Sequence, residues 1–244
     1  MTPKNMTLVW QDNFDNKRLD SSKWKKLVWN KGVVNNEVQA YVDDEETCST
    51  GKGLVIQAVK NKDGSWKSAR LTTAGLASWK YGYFEARIKL PPESKGIWPA
   101  FWMMSEDNSY GEWPCSGEID ILEYSPATFN SDVYGTVHYG SGTVDMESHF
   151  WKNLIRLPLE SLPQSKDGFH TYGLMWTENE ISFYYDGIKS QSSWRRYEGD
   201  NVRWPFDKPF HFIINLAMGG TLGGEIPAQL NKAALEVEYV RVWQ

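Results

Sequence analysis

The sequence predicts an all-β domain, a sandwich or a barrel, on three observations. Short runs of alternating apolar and polar residues recur along the chain with turn residues between them. Helix signals are nearly absent. Thirteen Trp, twelve Tyr and ten Phe in 244 residues exceed what a core of this size needs, and such a surplus serves either core packing or flat platforms for ring stacking.

Taken in order, Thr7 to Trp10 reads as a first short strand, followed by a polar loop from Asp15 to Trp24. Asn35 to Tyr41 is a polar-rimmed segment. Gly53 to Val59 alternates as a strand, and Asp63-Gly64 marks a turn. After Ala69 to Thr73, the stretch Tyr83 to Lys89 sets Glu85 and Arg87 against Phe84, Ala86 and Ile88, the pattern of a half-buried strand. Trp98 and Trp102 are four apart, so a strand keeps them on one face, and the intervening Pro99 predicts an edge or bent segment. His170–Trp176 and Ile181–Tyr185 form a hairpin around residues 177–180, and Asp186-Gly187 turns the chain again. Phe210 to Ala217 is nearly all apolar, Leu235 to Trp243 closes the domain, and Leu159 to Leu162 has room for one helical turn before Pro163.

One strand does not fit a purely structural purpose. Glu118-Ile119-Asp120-Ile121-Leu122-Glu123 places three carboxylates in an apolar, β-branched run. Burying a carboxylate without a partner is costly, and each like charge nearby raises the cost. Strand periodicity puts Glu118 and Asp120 on one face and turns Glu123 to the other. A β-bulge near Ile121-Leu122 would return Glu123 to the acidic face, and bulges are frequent beside active sites. With one residue absorbed, the Glu118 and Glu123 Cα atoms lie roughly 13 Å apart at about 3.3 Å per step. Two glutamate arms leaning inward from that distance approach the roughly 5–5.5 Å carboxyl separation of retaining glycosidases, short of the 6.5–9.5 Å of inverting ones. The competing readings are a solvated acidic strand and a metal cluster.

Composition bounds the rest. The length is compatible with one large β domain or two small ones, and no linker, low-complexity run or repeat divides the chain, so residues 1–244 are taken as a single domain. A net charge of -5, spread evenly, argues against nucleic acid or an anionic membrane as partner. No apolar run approaches the ~20 residues that span a bilayer. The N-terminus carries no signal peptide, so the chain is either cytoplasmic or a mature domain with an added methionine. Cys48 and Cys115 allow one disulfide at most and show no metal-site spacing. His149, His170 and His211 show no metal-ligand spacing either and receive no chemistry.

The stretch Gly117 to Glu123 resembles the Glu-x-Asp-x-x-Glu signature of glycoside hydrolase family 16 in its bulged, laminarinase-like form. The flanking Gly96 to Met104 and Gly135 to Tyr139 agree, and the resemblance runs from Leu8-Val9-Trp10 to Tyr239–Trp243. It implies a β-jelly-roll of two antiparallel sheets with a concave substrate cleft. It implies a retaining endo-β-1,3-glucanase in which Glu118 is the nucleophile, Asp120 its partner and Glu123 the acid/base. By the same resemblance Trp98, Trp102 and Trp113 line the sugar subsites, while Arg70 and Asn36 reach sugar hydroxyls. His138 lies in the cleft beside the acids, where the bland alternatives are a core or surface histidine. Glu112 and Trp113 sit on a loop facing the leaving-group side.

No cofactor is expected for catalysis. The family often holds one structural calcium on the convex face, and the matching positions here are Asn13, Gly53 and Glu238; asparagine in place of an acid weakens that set. The expected partner is a β-glucan, the expected state a monomer, and the expected location secreted or periplasmic. The alternatives are a hydrolase of agar, porphyran or carrageenan on the same fold, a transglycosylase, and a glucan-recognition module, which would normally have lost an acid.

Overall fold

The computed structural model describes residues 4–140, 149–190, 194–195 and 204–244, with the backbone alone at 151–154 and 194–195. The first third of the chain forms β1 (Leu8–Asp12), β2 (Lys25–Lys26), β3 (Gln39–Tyr41), β4 (Cys48–Thr50), β5 (Leu54–Lys60) and β6 (Trp66–Ser68). Then come β7 (Arg70–Thr72), β8 (Gly82–Lys89), β9 (Ile97–Ser105), β10 (Glu118–Tyr124), β11 (Asp132–Gly140) and β12 (His149–Pro158). The last third supplies β13 (His170–Trp176), β14 (Glu180–Tyr185), β15 (Ile188–Lys189), β16 (Trp194–Arg195), β17 (Phe210–Met218) and β18 (Lys232–Trp243). Among the described residues helix is confined to single turns: α1 (Pro126–Phe129), α2 (Gly220–Gly223) and a 3₁₀ turn at Leu159–Ser161, within the segment expected to turn.

The strands pair into two sheets. Seven form one in the order β12-β11-β10-β9-β17-β7-β2, and the other runs β15-β14-β13-β8-β18-β5-β6-β3 with β1, β4 and β16 paired alongside. Among the described strands only β3 and β6 pair in parallel. The two inner faces meet in one large core in which Phe101 of β9, Phe212 of β17 and Phe84 of β8 pack ring to ring at 5.1 and 5.9 Å. This is the two-sheet jelly roll expected.

In Tyr83 to Lys89 the alternate residues Phe84, Ala86 and Ile88 are fully buried in the core as the pattern predicts, but the other face is not open, because Glu85 is buried too and accepts from the Tyr83 and Tyr239 hydroxyls. In β9 the inner face is Ile97, Phe101 and Met103, and the outer face is Trp98, Ala100, Trp102 and Met104. The placement of β9 corrects one expectation. It is no edge strand, because β10 and β17 flank it. Pro99 is tolerated because β10 pairing ends at Ala100↔Glu123, so the missing N–H falls where that ladder has run out.

Candidate active site

The acids lie on β10, third from one edge of the seven-stranded sheet. Ile119, Ile121 and Leu122 are all fully buried in the core, and two consecutive inward residues are impossible in a regular strand. The ladder shows how this is achieved. Asp120 faces Trp102 and Thr136, whereas Glu123 faces Ala100 and Tyr134, three residues against two on either side. The predicted bulge is therefore present, centred on Ile121-Leu122, and it returns Glu123 to the face of Glu118 and Asp120.

A bulge strands a backbone group, and here a side chain from the opposite sheet satisfies it. Tyr185 Oη, fully buried on β14, donates a 2.8 Å hydrogen bond to the Ile121 carbonyl. Such a bond replaces the ladder partner that the extra residue loses. Gly117 sets the entry to the strand: its φ is +86°, and a Cβ there would stand 3.0–3.1 Å from Pro205, Phe206 and Phe210.

Around the acids, Trp98 Nε1 donates to Glu123 Oε1 at 3.2 Å and Trp113 Nε1 to Glu118 Oε2 at 2.7 Å. His138, opposite Glu118 on β11, brings Nε2 within 3.1 Å of Asp120 Oδ2, although that buried oxygen has no well-aligned hydrogen bond. Its Nδ1 is 2.9 Å from His149 Nε2. Glu118, Asp120 and His138 each bring a donor atom within 4.8 Å of the others. We assign that closeness no metal role.

Burial sets the acidities. It pushes Glu118 up to about 8, with the charge of Asp120 adding to it, while His138 and the Trp113 indole oppose. Burial raises Glu123 to about 7; His138 and the Trp98 indole oppose, and the charge of Glu118 adds. Asp120 is held well above the ordinary carboxylate range by burial and by Glu123. The three titrate as one coupled set that keeps protons at neutral pH, which is what general-acid chemistry requires.

On the other side of the acids, Arg70 of β7 is buried rather than a surface cation. Its guanidinium lies 4.5 Å from the Trp29 ring centroid and 4.8 Å from that of Trp102. Trp98 and Trp102 share the cleft face as expected, yet each is only 9% exposed, so they form the floor; Trp113, at 38%, is the open ring. Asn36 is exposed in a left-handed turn (φ 54°), carried beside α2 by the Thr221 N–H to Asn35 carbonyl bond.

Sequence reasoning missed the polar network under that floor. Trp102 Nε1 donates to Asn215 Oδ1 (2.8 Å), Asn215 Nδ2 to Tyr41 Oη (3.2 Å), and Tyr41 Oη to Glu37 Oε2 (2.8 Å). The signal was there: Asn215 is a lone amide inside the apolar run Phe210 to Ala217, and such a residue needs a buried partner. Tyr185 and His149 gave no such signal.

The proposed calcium positions do not fit the ion as arranged. Gly53 and Glu238 are neighbours, since a Cβ on Gly53 would stand 3.5 Å from Glu238 Cα. The Glu238 carboxylate, however, is ion-paired with Arg87, and Asn13 Oδ1 faces Arg241 Nη2 at 3.5 Å. Calcium takes six to eight oxygens, and here two guanidinium groups stand where a cation would compete with them. Unfolding temperatures in excess calcium and in chelator are accordingly expected to agree within about 1 °C, since an ion that does not bind the native state does not stabilise it. Cys48 and Cys115 are buried and not joined in a disulfide, and burial pushes the Cys48 thiol up to about 11.

A family model described as "beta-porphyranase A-D, GH16 domain" matches residues 7–244. A beta-glucanase of Rhodothermus marinus is 37% identical over 97% of this chain and 85% of its own length. A glucan endo-1,3-beta-glucosidase of Cryptopygus antarcticus is 37% identical over 97% and 91%. The X-ray structure of the laminarinase from Rhodothermus marinus superposes with a TM-score of 0.84 at 36% identity, covering 98% of each chain.

Proposed function

The chain belongs to glycoside hydrolase family 16, and we propose that it is a retaining endo-β-1,3-glucanase acting on internal bonds of laminarin-type glucans, with mixed-linkage glucan as a further substrate. The observation that carries the proposal is the bulge at Ile121-Leu122, which turns three coupled carboxylates to one face. The β-glucanase names of relatives at 37% identity supply the substrate class.

In this reading, Glu118 attacks the anomeric carbon as a carboxylate, and the proton of Glu123 goes to the departing glycosidic oxygen. Glu118 becomes a glycosyl ester, and Glu123, now ionised, takes a proton from the water that cleaves the ester. Asp120 stays beside Glu118 and holds the nucleophile in line. In the resting site Glu118 is the more basic of the two glutamates, so the productive form is one arrangement of a single shared proton. That form is most populated between the two steps, near 7 and 8. The kcat/KM profile is expected to be bell-shaped with its maximum in that interval. It falls at lower pH as the nucleophile is protonated, and at higher pH as the acid is lost.

Cross-strand register supports one path for the sugar chain. Tyr134, Glu123, Ala100, Asn215 and Arg70 form one row across five strands. A glucan lying across the strands passes from the Trp29–Arg70–Trp102 stack over the acids to Tyr134 and Trp113. We read 1–244 as one catalytic domain that acts as a monomer outside the cytoplasm, where a polymeric substrate is found.

The family model named for porphyranases favours a second reading, a sulfated-galactan hydrolase on the same fold. Against it, the guanidinium of Arg70 is already stacked between two indoles instead of standing open for a sulfate. Incubation with laminarin, barley mixed-linkage glucan, porphyran, agarose and carrageenan decides between them. The proposal predicts oligosaccharides from laminarin and none from the galactans; release from porphyran alone rejects it.

A further inference from the structure

We infer that His149 is a positioning residue: its Nε2–H donates to His138 Nδ1, which fixes His138 in the tautomer that presents Nε2–H to Asp120. The inference rests on the catalytic reading of Glu118 and Asp120 above. Its starting point is the 2.9 Å contact between the two imidazoles, which holds a single proton. If that proton sits on His138 Nδ1 of a singly protonated ring, Nε2 turns a bare lone pair toward Asp120. If it sits on His149 Nε2, His138 turns an N–H.

Asp120 decides between the two. Its Oδ2 is buried without a well-aligned partner and lies 3.1 Å from His138 Nε2. A buried carboxylate oxygen left unpaired is costly, and a small rotation of the imidazole supplies the missing donor only in the second tautomer. Catalytic hydrogen bonds are often misaligned before substrate arrives and tighten in the complex.

His149 is well placed to hold this arrangement. It enters from β12, at the start of the strand that pairs with β11, and its ring lies 4.5 Å from Trp113 and 5.2 Å from His138. Trp113 in turn donates to Glu118 Oε2. The side chains therefore close a loop, Glu118–Trp113–His149–His138–Asp120, around the nucleophile. Among the described groups, the Trp113 indole and the His138 imidazole face His149, with Glu118 and Asp120 beyond them. Burial holds the His149 imidazole below its ordinary range, in the direction of a neutral ring.

Two substitutions separate the hydrogen bond from the ring contact. His149→Phe keeps an aromatic ring against Trp113 and loses the donor, whereas His149→Gln loses the ring and keeps a donor. With laminarin as substrate, His149→Phe is expected to lower kcat about tenfold with KM within about twofold of wild type, the pattern of an interaction felt in the transition state. His149→Gln is expected to keep most of kcat. Independently of substrate, ¹⁵N chemical shifts of the wild-type protein are expected to show His138 protonated at Nε2 and bare at Nδ1. A proton on His138 Nδ1, wild-type kcat in His149→Phe, or a His149→Gln as impaired as His149→Phe overturns the inference. Failure of the wild-type protein to cleave any glucan would instead overturn the catalytic reading, and the two failures are distinguishable.

Discussion

Glu118→Gln is expected to leave the sandwich folded and to lower kcat on laminarin by at least about four orders of magnitude, the scale of removing a covalent nucleophile. The amide has nearly the shape of the acid and still accepts from Trp113 Nε1, so the cleft has no steric reason to change. What it lacks is the electron pair that forms the ester. Stability provides the folding control and moves the other way. The folded-state acidity of Glu118 is raised from an ordinary 4.5 to about 8, so the folded protein binds this proton more tightly than the unfolded chain. The stability this contributes is complete below pH 4.5 and is lost as pH rises through 8. Thermal melts should therefore show Glu118→Gln more stable than wild type at pH 9 and no more stable at pH 4. Glu118→Ala with azide should form the α-glycosyl azide, because a small anion can enter the emptied space on the nucleophile's side of the sugar. Turnover of laminarin by the Gln variant at wild-type rates would remove Glu118 from the mechanism.

Glu123→Ala should show a loss that depends on the leaving group. On laminarin, whose leaving group is a sugar hydroxyl needing a proton, the expected drop is about 10²–10⁴. On an aryl glucoside with an acidic phenol as leaving group the first step needs no proton, so it should survive while hydrolysis of the ester slows. A burst of phenol in stopped-flow records and accumulation of glycosyl-enzyme in mass spectra measure this. Azide should then give the β-glycosyl azide, the opposite anomer to that from Glu118→Ala. The basic limb of the pH profile should flatten in the same variant, since the proton whose loss causes that limb was the one Glu123 donates. Equal losses on both substrates would show that Glu123 shapes the site without donating a proton.

The parts of this molecule legible in its sequence are those governed by local rules. Alternation placed Phe84, Ala86 and Ile88 inside, and the odd offset of Glu123 from Glu118 and Asp120 demanded a bulge that the ladder contains. The parts that were not legible depend on long-range contacts. Nothing within ten residues of Tyr185 says that its hydroxyl caps the Ile121 carbonyl 64 positions earlier. His149 carries no local signal because its contacts, His138 and Trp113, come from a neighbouring strand and a loop. Pro99 misled because a local rule, proline at edges, gave way to the point where a ladder ends. The surroundings of the calcium positions were hidden for a similar reason: Asn13 and Glu238 align with a ligand pattern, but Arg241 and Arg87, supplied by β18 and β8, lie against their oxygens.

The central claim is that the bulged strand aims a nucleophile and an acid at one bond, with a covalent intermediate between them. Proton NMR of laminarin hydrolysis in its first minutes tests this most directly, before the new reducing ends mutarotate. The account predicts that the β-anomer appears first and the α-anomer grows in afterwards. Initial release of the α-anomer would mean a single displacement by water and would contradict it.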